Sequence, residues 1–254
     1  MIDNMKQLNI DLSMWGVTLS DEKLEKFYRY FELLVEWNEK MNLTAITEFD
    51  EVLKKHFLDS LALVLFMKEK NMLPDNINDE DMEKVTATLI DVGTGAGFPG
   101  IPLAICFPNM KITLMDSLNK RINFLGEVIN ELGLTNCVAI HSRAEELGKT
   151  NSEHREHYDF CVSRAVANIS TLSEYCIPFV KVGGYFIPYK SEKLEEELST
   201  GSKAIDILGG KIERTISFDL PSSDIKRNLL CINKVKSTKG KYPRKAGLPG
   251  KEPL

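Results

Sequence analysis

Residues 89–100 read Leu89-Ile90-Asp91-Val92-Gly93-Thr94-Gly95-Ala96-Gly97-Phe98-Pro99-Gly100. An apolar run ends at three alternate glycines, and the residues after Phe98 suit a helix. The segment therefore predicts a buried strand, a tight turn and a helix with Pro99 at its favourable first position. Glycines let the backbone turn sharply and approach a ligand closely, and the amides that open the helix then face that ligand. Asp91, two residues before the first glycine, is placed to orient the loop and accept hydrogen bonds from it. Asp116 lies 23 residues after Gly93, at the end of the next apolar run, KITLMD. A carboxylate there can accept both ribose hydroxyls of a nucleoside cofactor or cap the helix that follows.

Two ligands compete for this pattern. Gly95-Ala96-Gly97-Phe98-Pro99-Gly100 matches the dinucleotide spelling GxGxxG, which would make the chain a nicotinamide-dependent oxidoreductase. The turn starts earlier, however, at Gly93. In that frame the spelling is Asp-x-Gly-x-Gly-x-Gly, which resembles the first motif of the class I methyltransferases. Their sulfonium cofactor, S-adenosylmethionine, has no pyrophosphate and lays its amino-acid and adenosine ends across the loop. Asp116 serves either cofactor. Ser142-Arg143-Ala144-Glu145 follows the third strand, where methyltransferases contact adenine.

The fourth strand, YDFCVSRAVA, bears on the acceptor. It lacks the Asp/Asn-Pro-Pro-aromatic motif that holds an exocyclic amine. It also lacks the Pro-Cys of enzymes that methylate pyrimidine carbon, so Cys161 is expected to point into the sheet. In their place stands Arg164, a permanent cation with fixed donor geometry, able to clamp a cofactor carboxylate or a substrate oxygen or to form a surface ion pair. Guanine N7 suits this inventory. It carries a lone pair and no proton, so the enzyme needs only to align it with the methyl group and to place donors near O6. N7 lies in the deep, narrow groove of an RNA helix, beyond the reach of side chains, so the acceptor must be unpaired or splayed out.

The surrounding elements must position these groups. Leu24, Phe27, Tyr28, Phe31, Leu34, Val35 and Met41 follow helical spacing and predict a helix over 20–41, capped by Ser20 and ended near Asn42. A second helix is expected over about 50–70, with His56, Asp59 and Ser60 on one face, turned either to the cofactor cleft or to the core. NMLPDNINDEDMEK reads as a linker or surface loop. From residue 85 onward short apolar strands alternate with helices, which predicts parallel βαβ units in a doubly wound sheet. The last two strands, TISFDL and NLLCINKV, have no helix between them and are expected to form an antiparallel edge. The division expected is an N-terminal helical extension over 1–72, a cofactor-binding domain over 73–236 and a basic tail over 237–254.

The composition, 43% hydrophobic and 27% charged, is that of a globular protein with a proper core. The N-terminus lacks the pattern of a secretory signal, and the longest clean apolar run, 61–67, is far short of a membrane helix; a cytoplasmic location is expected. The five cysteines are scattered, with no CxxC pair, which suggests reduced core thiols. His154 and His157 are spaced HxxH in a polar stretch without a cysteine partner, and no metal site is expected. The net charge is −5, but residues 226–254 hold nine Lys or Arg and one acid, a net +8 that leaves −13 to the rest. That asymmetry suggests either a local footprint for phosphates or a solvated tail.

WNEKMNLTAI (37–46), KHFLDSL (55–61), LIDVGTGAGFPGIPLAI (89–105), LMDSLNKRINFL (114–125), SRAEEL (142–147) and SRAVA (163–167) occur in order, before a basic ending, KYPRKAGLPGKEPL. Together they resemble the ribosomal small-subunit methyltransferase G family, also called glucose-inhibited division protein B, over nearly the whole chain. The resemblance implies a class I methyltransferase fold with a Rossmann-like sheet, S-adenosylmethionine as donor, and N7 of one guanine in 16S ribosomal RNA as acceptor, on the RNA or the small subunit, with the protein acting as a monomer. Carried over by position, Gly93, Phe98, Ala144, Glu145 and Arg164 match its cofactor contacts, and Gly95, Gly97, Asp116 and Ser117 join them as candidates from the loop and the strand end. Arg121, Lys190, Arg244 and Lys245 are the candidate RNA contacts. The fifth strand usually ends Lys-Gly in this family, whereas here it reads Tyr189-Lys190-Ser191. A small-molecule methyltransferase and the oxidoreductase remain the alternatives.

Overall fold

A computed structural model describes residues 2–164, 167–192 and 194–254. Five helices come first: α1 (Ile2–Ser13), α2 (Asp21–Met41), α3 (Phe49–Val52), α4 (Leu63–Glu69) and α5 (Asp79–Glu83). The sheet region follows as β1 (Thr88–Val92), α6 (Gly100–Cys106), β2 (Lys111–Asp116), α7 (Asn119–Glu131), β3 (Cys137–His141), α8 (Ala144–Leu147), β4 (Tyr158–Ser163), α9 (Ile169–Cys176), β5 (Val180–Lys190), α10 (Leu194–Leu208), β6 (Gly210–Asp219) and β7 (Lys226–Lys234); α11 (Leu248–Lys251) closes the chain.

The seven strands lie in the order β3-β2-β1-β4-β5-β7-β6. Pairings among β1 to β5 are parallel, whereas β7 runs antiparallel to both β5 and β6. This is the doubly wound sheet with an antiparallel edge that the alternation of elements predicts. Strand order reverses between β1 and β4, and such a switch point opens a crevice beyond the carboxyl ends of the strands, where ligands of these folds sit.

The N-terminal helices share one core with a face of the sheet. Phe27, Leu34, Phe57 and Phe66 are buried in the same apolar cluster as Leu103, Leu114 and Phe124. The buried stripe of α2 differs from the one expected. It runs through Leu24, Phe27, Tyr30, Leu33 and Leu34, while Tyr28, Phe31 and Val35 lie half-buried at its margin. The two stripes share Leu24, Phe27 and Leu34, and the observed one turns about the helix toward Tyr30 and Leu33, where the Tyr30 hydroxyl has a partner.

The single helix expected over 50–70 is instead three pieces. A six-residue π-helical turn, Leu53–Leu58, separates α3 from α4. Such wide turns often mark functional sites, and this one carries His56. The polar stretch before β1 also holds more structure than a linker, because Asn78 and Asp81 form a reciprocal capping box that starts α5. Pro99 precedes α6 rather than opening it.

The segment after β7 is docked, not solvated. Tyr242 and Thr238 are buried. Arg244 forms a bidentate pair with the fully buried Glu174 of α9, with Nη2 to Oε2 at 2.6 Å and Nε to Oε1 at 2.9 Å. The Glu145 carboxylate accepts from the Gly247 N–H at 2.7 Å. No helix of the described residues is long and apolar enough to cross a membrane.

Candidate functional site

The glycine loop hangs between β1 and α6, and two carboxylates fix its shape. Asp91, fully buried, accepts from the Thr94 hydroxyl at 2.7 Å and the Gly100 N–H at 2.8 Å. Burial outweighs these bonds and pushes its carboxyl up to about 6. Asp116 accepts from the Gly95 N–H at 3.0 Å and the Leu118 N–H at 2.9 Å, and Arg121 pairs with it at 3.1 Å. Arg121 Nη1 also donates to Asp116 Oδ1 at 3.5 Å, so the carboxylate's four or so acceptor positions are engaged, and a ribose hydroxyl would take the place of Arg121. Arg121, a candidate RNA contact, is paired with the carboxylate that shapes the loop.

The loop is also gripped from below by the helical extension. The Tyr30 hydroxyl donates to the Ala96 carbonyl, and its ring lies 5.4 Å from those of Phe57 and Phe98. The opposite side of the loop is open. A Cβ placed on Gly93 would meet nothing within 4 Å. A cavity of about 220 Å³ extends from there, lined by Gly93, Ser117, Ala144, Glu145 and Tyr175 among others. Its polar rim and open loop fit the nucleoside end of a cofactor. Sequence reasoning missed Tyr175, which no motif marks.

Beside it, at the ends of β4 and β5, lies a second cavity of about 490 Å³. Arg164 stands on its wall. The guanidinium donates to the Lys55 carbonyl at 2.9 Å, to Asp59 Oδ2 at 3.2 Å and to His56 Nδ1 at 3.1 Å. It lies 5.1 Å from the Phe98 ring, on which His56 stacks at 4.4 Å. The face bearing His56 and Asp59 is thus turned to the site. The Ser60 hydroxyl turns back to the His56 carbonyl instead, and the Ser60 carbonyl accepts from Tyr189 at 2.9 Å. Asp59 is shared, because Arg227 Nε reaches its Oδ1 at 3.2 Å. Arg227 was not anticipated; it sits in the basic run before NLLCINKV and carries no motif. Of SRAVA, Ala165 and Val166 lie outside the described residues.

An arginine can only donate, so His56 Nδ1 is the acceptor, and Nε2 carries the proton toward the Thr44 hydroxyl at 3.0 Å. Burial, and then the Arg164 charge, depress the His56 pKa to about 3. This lies below the unfolded value of 6.5, so protonation favours the unfolded chain between pH 6.5 and 3. Denaturant unfolding should show stability lost as pH falls through that window. His56→Gln should flatten that slope, and an unchanged slope would show that His56 is not held neutral.

Lys190, at the end of β5, is buried and donates to the Ala167 carbonyl at 2.8 Å and to Glu197 of α10 at 2.7 Å. Ser191 turns its carbonyl to the Asn228 side chain at 2.9 Å. Among the predicted RNA contacts, Lys190 alone lines the second cavity. Arg244 is consumed by Glu174, and Lys245 is exposed on the docked segment. Asn42 ends α2 in a left-handed conformation, φ 48°, and does not line either cavity. All five cysteines are unpaired and buried. Among the described residues no cluster of His, Cys, Asp and Glu fits a metal ion.

A family model described as rRNA small subunit methyltransferase G matches residues 23–229. A protein of that name from Lachnoclostridium phytofermentans is 52% identical over 239 residues, 94% of this chain and 93% of its own. One from Listeria monocytogenes is 47% identical over 251 residues, 99% of each chain. In fold, the chain is similar to a solved mutant of MtNAS in complex with S-adenosylmethionine, with a TM-score of 0.51 at 15% identity over 85% of this chain and 78% of that one. The chain belongs to the rRNA small subunit methyltransferase G family.

Proposed function

We propose that this protein transfers a methyl group from S-adenosylmethionine to N7 of one unpaired guanine in 16S ribosomal RNA, as a cytoplasmic monomer acting on the RNA or the small subunit. The observation that carries the acceptor atom is the engagement of His56 and Asp59. These are the titratable groups against Arg164, and each is held by an arginine, with His56 bonded at both ring nitrogens. Among the described residues, neither of these two groups bonded to Arg164 is free to act as a base, and N7 needs none.

Bound S-adenosylmethionine supplies a methyl group activated by a sulfonium. Gly93, Gly95, Gly97 and Phe98 floor its cleft. Asp116 and Ser117 would hold the ribose, Ala144 and Glu145 the adenine, and Arg164 would orient the reacting end. N7 would accept the methyl group with its own lone pair, so no residue of the protein would have to remove a proton. The task of the protein is alignment, which can supply much of the rate. Lys190 reaches the acceptor base. Exposed Lys239, Lys241, Lys245 and Lys251 on the docked segment meet phosphates.

The test is transfer of labelled methyl from S-adenosylmethionine to small-subunit RNA and particles from cells lacking this protein, with nuclease mapping. N7-methylguanosine at one loop position is expected. No incorporation while cofactor still binds would overturn the reading and favour a small-molecule acceptor.

A further inference from the structure

We propose that Glu197, with Lys190 beside it, reads the Watson–Crick edge of the acceptor guanine and so sets the choice of base; this rests on the guanine-N7 reading above. The second cavity is lined by two carboxylates. Asp59 is 3% exposed, and each of its oxygens is held by a different arginine. The Glu197 side chain is 28% exposed and is engaged through Oε2 alone, by Lys190 at 2.7 Å. Its Oε1 has no hydrogen-bond partner among the described residues. Of the two, Glu197 is the one able to accept from a base entering the cavity.

Geometry then selects guanine. The N7 lone pair lies in the ring plane, so the edge bearing N7 and O6 must face the cofactor cleft. O6 comes next along the rim, followed by N1–H and the 2-amino group. An ammonium followed by a carboxylate, as Lys190 and Glu197 stand, offers a donor to O6 and acceptors to N1–H and the amine. Adenine presents an amine where guanine has O6 and a bare lone pair at N1, so both pairings become repulsive. The pair also acts on the reaction. As the N–C bond forms and the S–C electrons return to sulfur, positive charge moves onto the purine, and a carboxylate at N1–H stabilises it.

The test uses the full chain and small-subunit RNA ligated with guanosine or inosine, which lacks the 2-amino group, at the acceptor position. Wild-type protein is expected to favour guanosine in kcat/KM by about 10-fold or more, the effect of one hydrogen bond to a charged group. Glu197→Gln should lower transfer to guanosine by about 10-fold or more, mostly in kcat, and narrow the preference over inosine, with cofactor affinity by calorimetry unchanged. A plain ion pair tying β5 to α10 would move stability and leave the preference alone. An unaltered preference in Glu197→Gln beside active wild type overturns this inference and leaves the function standing. No transfer by wild type to either RNA overturns the function and this inference with it.

Discussion

Replacing Arg164 by alanine should lower kcat/KM for methyl transfer by more than about 100-fold, the scale of a reacting geometry displaced by about 1 Å. The expected size follows from what the guanidinium holds. It joins the Lys55 carbonyl, Asp59 and His56 and lies over Phe98. Without it, Asp59, whose side chain is 4% exposed, faces Arg227 alone. Breaking one half of a buried ion pair costs about 3–5 kcal/mol, so the melting temperature should fall by roughly 6–20 °C for a chain of this size. Arg164→Lys should rescue little, because an ammonium cannot reproduce a planar fork that donates in three directions. Calorimetry with S-adenosylmethionine, thermal melts and single-turnover transfer together check this. A folded alanine variant with near-normal transfer would remove Arg164 from the site.

How much of this cluster can be read in the sequence depends on the range of the interaction. The glycine loop is legible because its parts are consecutive and its conformation demands glycine. The sheet is legible because strands and helices alternate with different periods, and the antiparallel edge because no helix separates its last two strands. Arg164 stands out at a strand end. His56 and Asp59 stand out as one helical face, but Arg227 does not, because it lies 168 residues from Asp59 and meets it only when β7 pairs beside β5. Glu174 is hidden for the same reason. A glutamate with no exposure looks like any acid on a short helix until Arg244, 70 residues later, arrives to pair with it. The tail shows only its charge in the sequence, and charge alone does not distinguish a solvated segment from one whose arginine is spent on an internal carboxylate. Tyr30 is hidden for another reason: Leu24, Phe27 and Leu34 belong to two neighbouring stripes of α2, and spacing alone does not choose the one through Tyr30 over the one through Tyr28 and Phe31.

The glycines of the loop should separate into two classes when replaced by alanine. At Gly97, φ is +102°, and an added Cβ would lie 2.6 Å from Ile101 Cγ1, 2.7 Å from the Tyr30 hydroxyl and 3.0 Å from Leu125 Cδ2. Those atoms belong to three different helices, so no single side chain can yield. Backbone strain of about 1–3 kcal/mol and overpacking of about 1–3 kcal/mol add. Gly97→Ala should lose several kcal/mol of stability together with cofactor affinity. At Gly93, φ is +72°, but the Cβ would meet nothing within 4 Å. The cost there is the left-handed backbone alone, about 1–2 kcal/mol. The new methyl group would instead project into the space that the cofactor fills in the reading above. Gly93→Ala should therefore fold with a modest loss in chemical denaturation, yet bind S-adenosylmethionine at least about 10-fold more weakly, since a clash worth one RT-scaled decade is about 1.4 kcal/mol. Equal affinity in Gly93→Ala and wild type would mean that the cofactor does not rest on this face of the loop. Because the two substitutions add the same methyl group within five residues, the contrast between them separates what the loop does for the fold from what it does for the ligand.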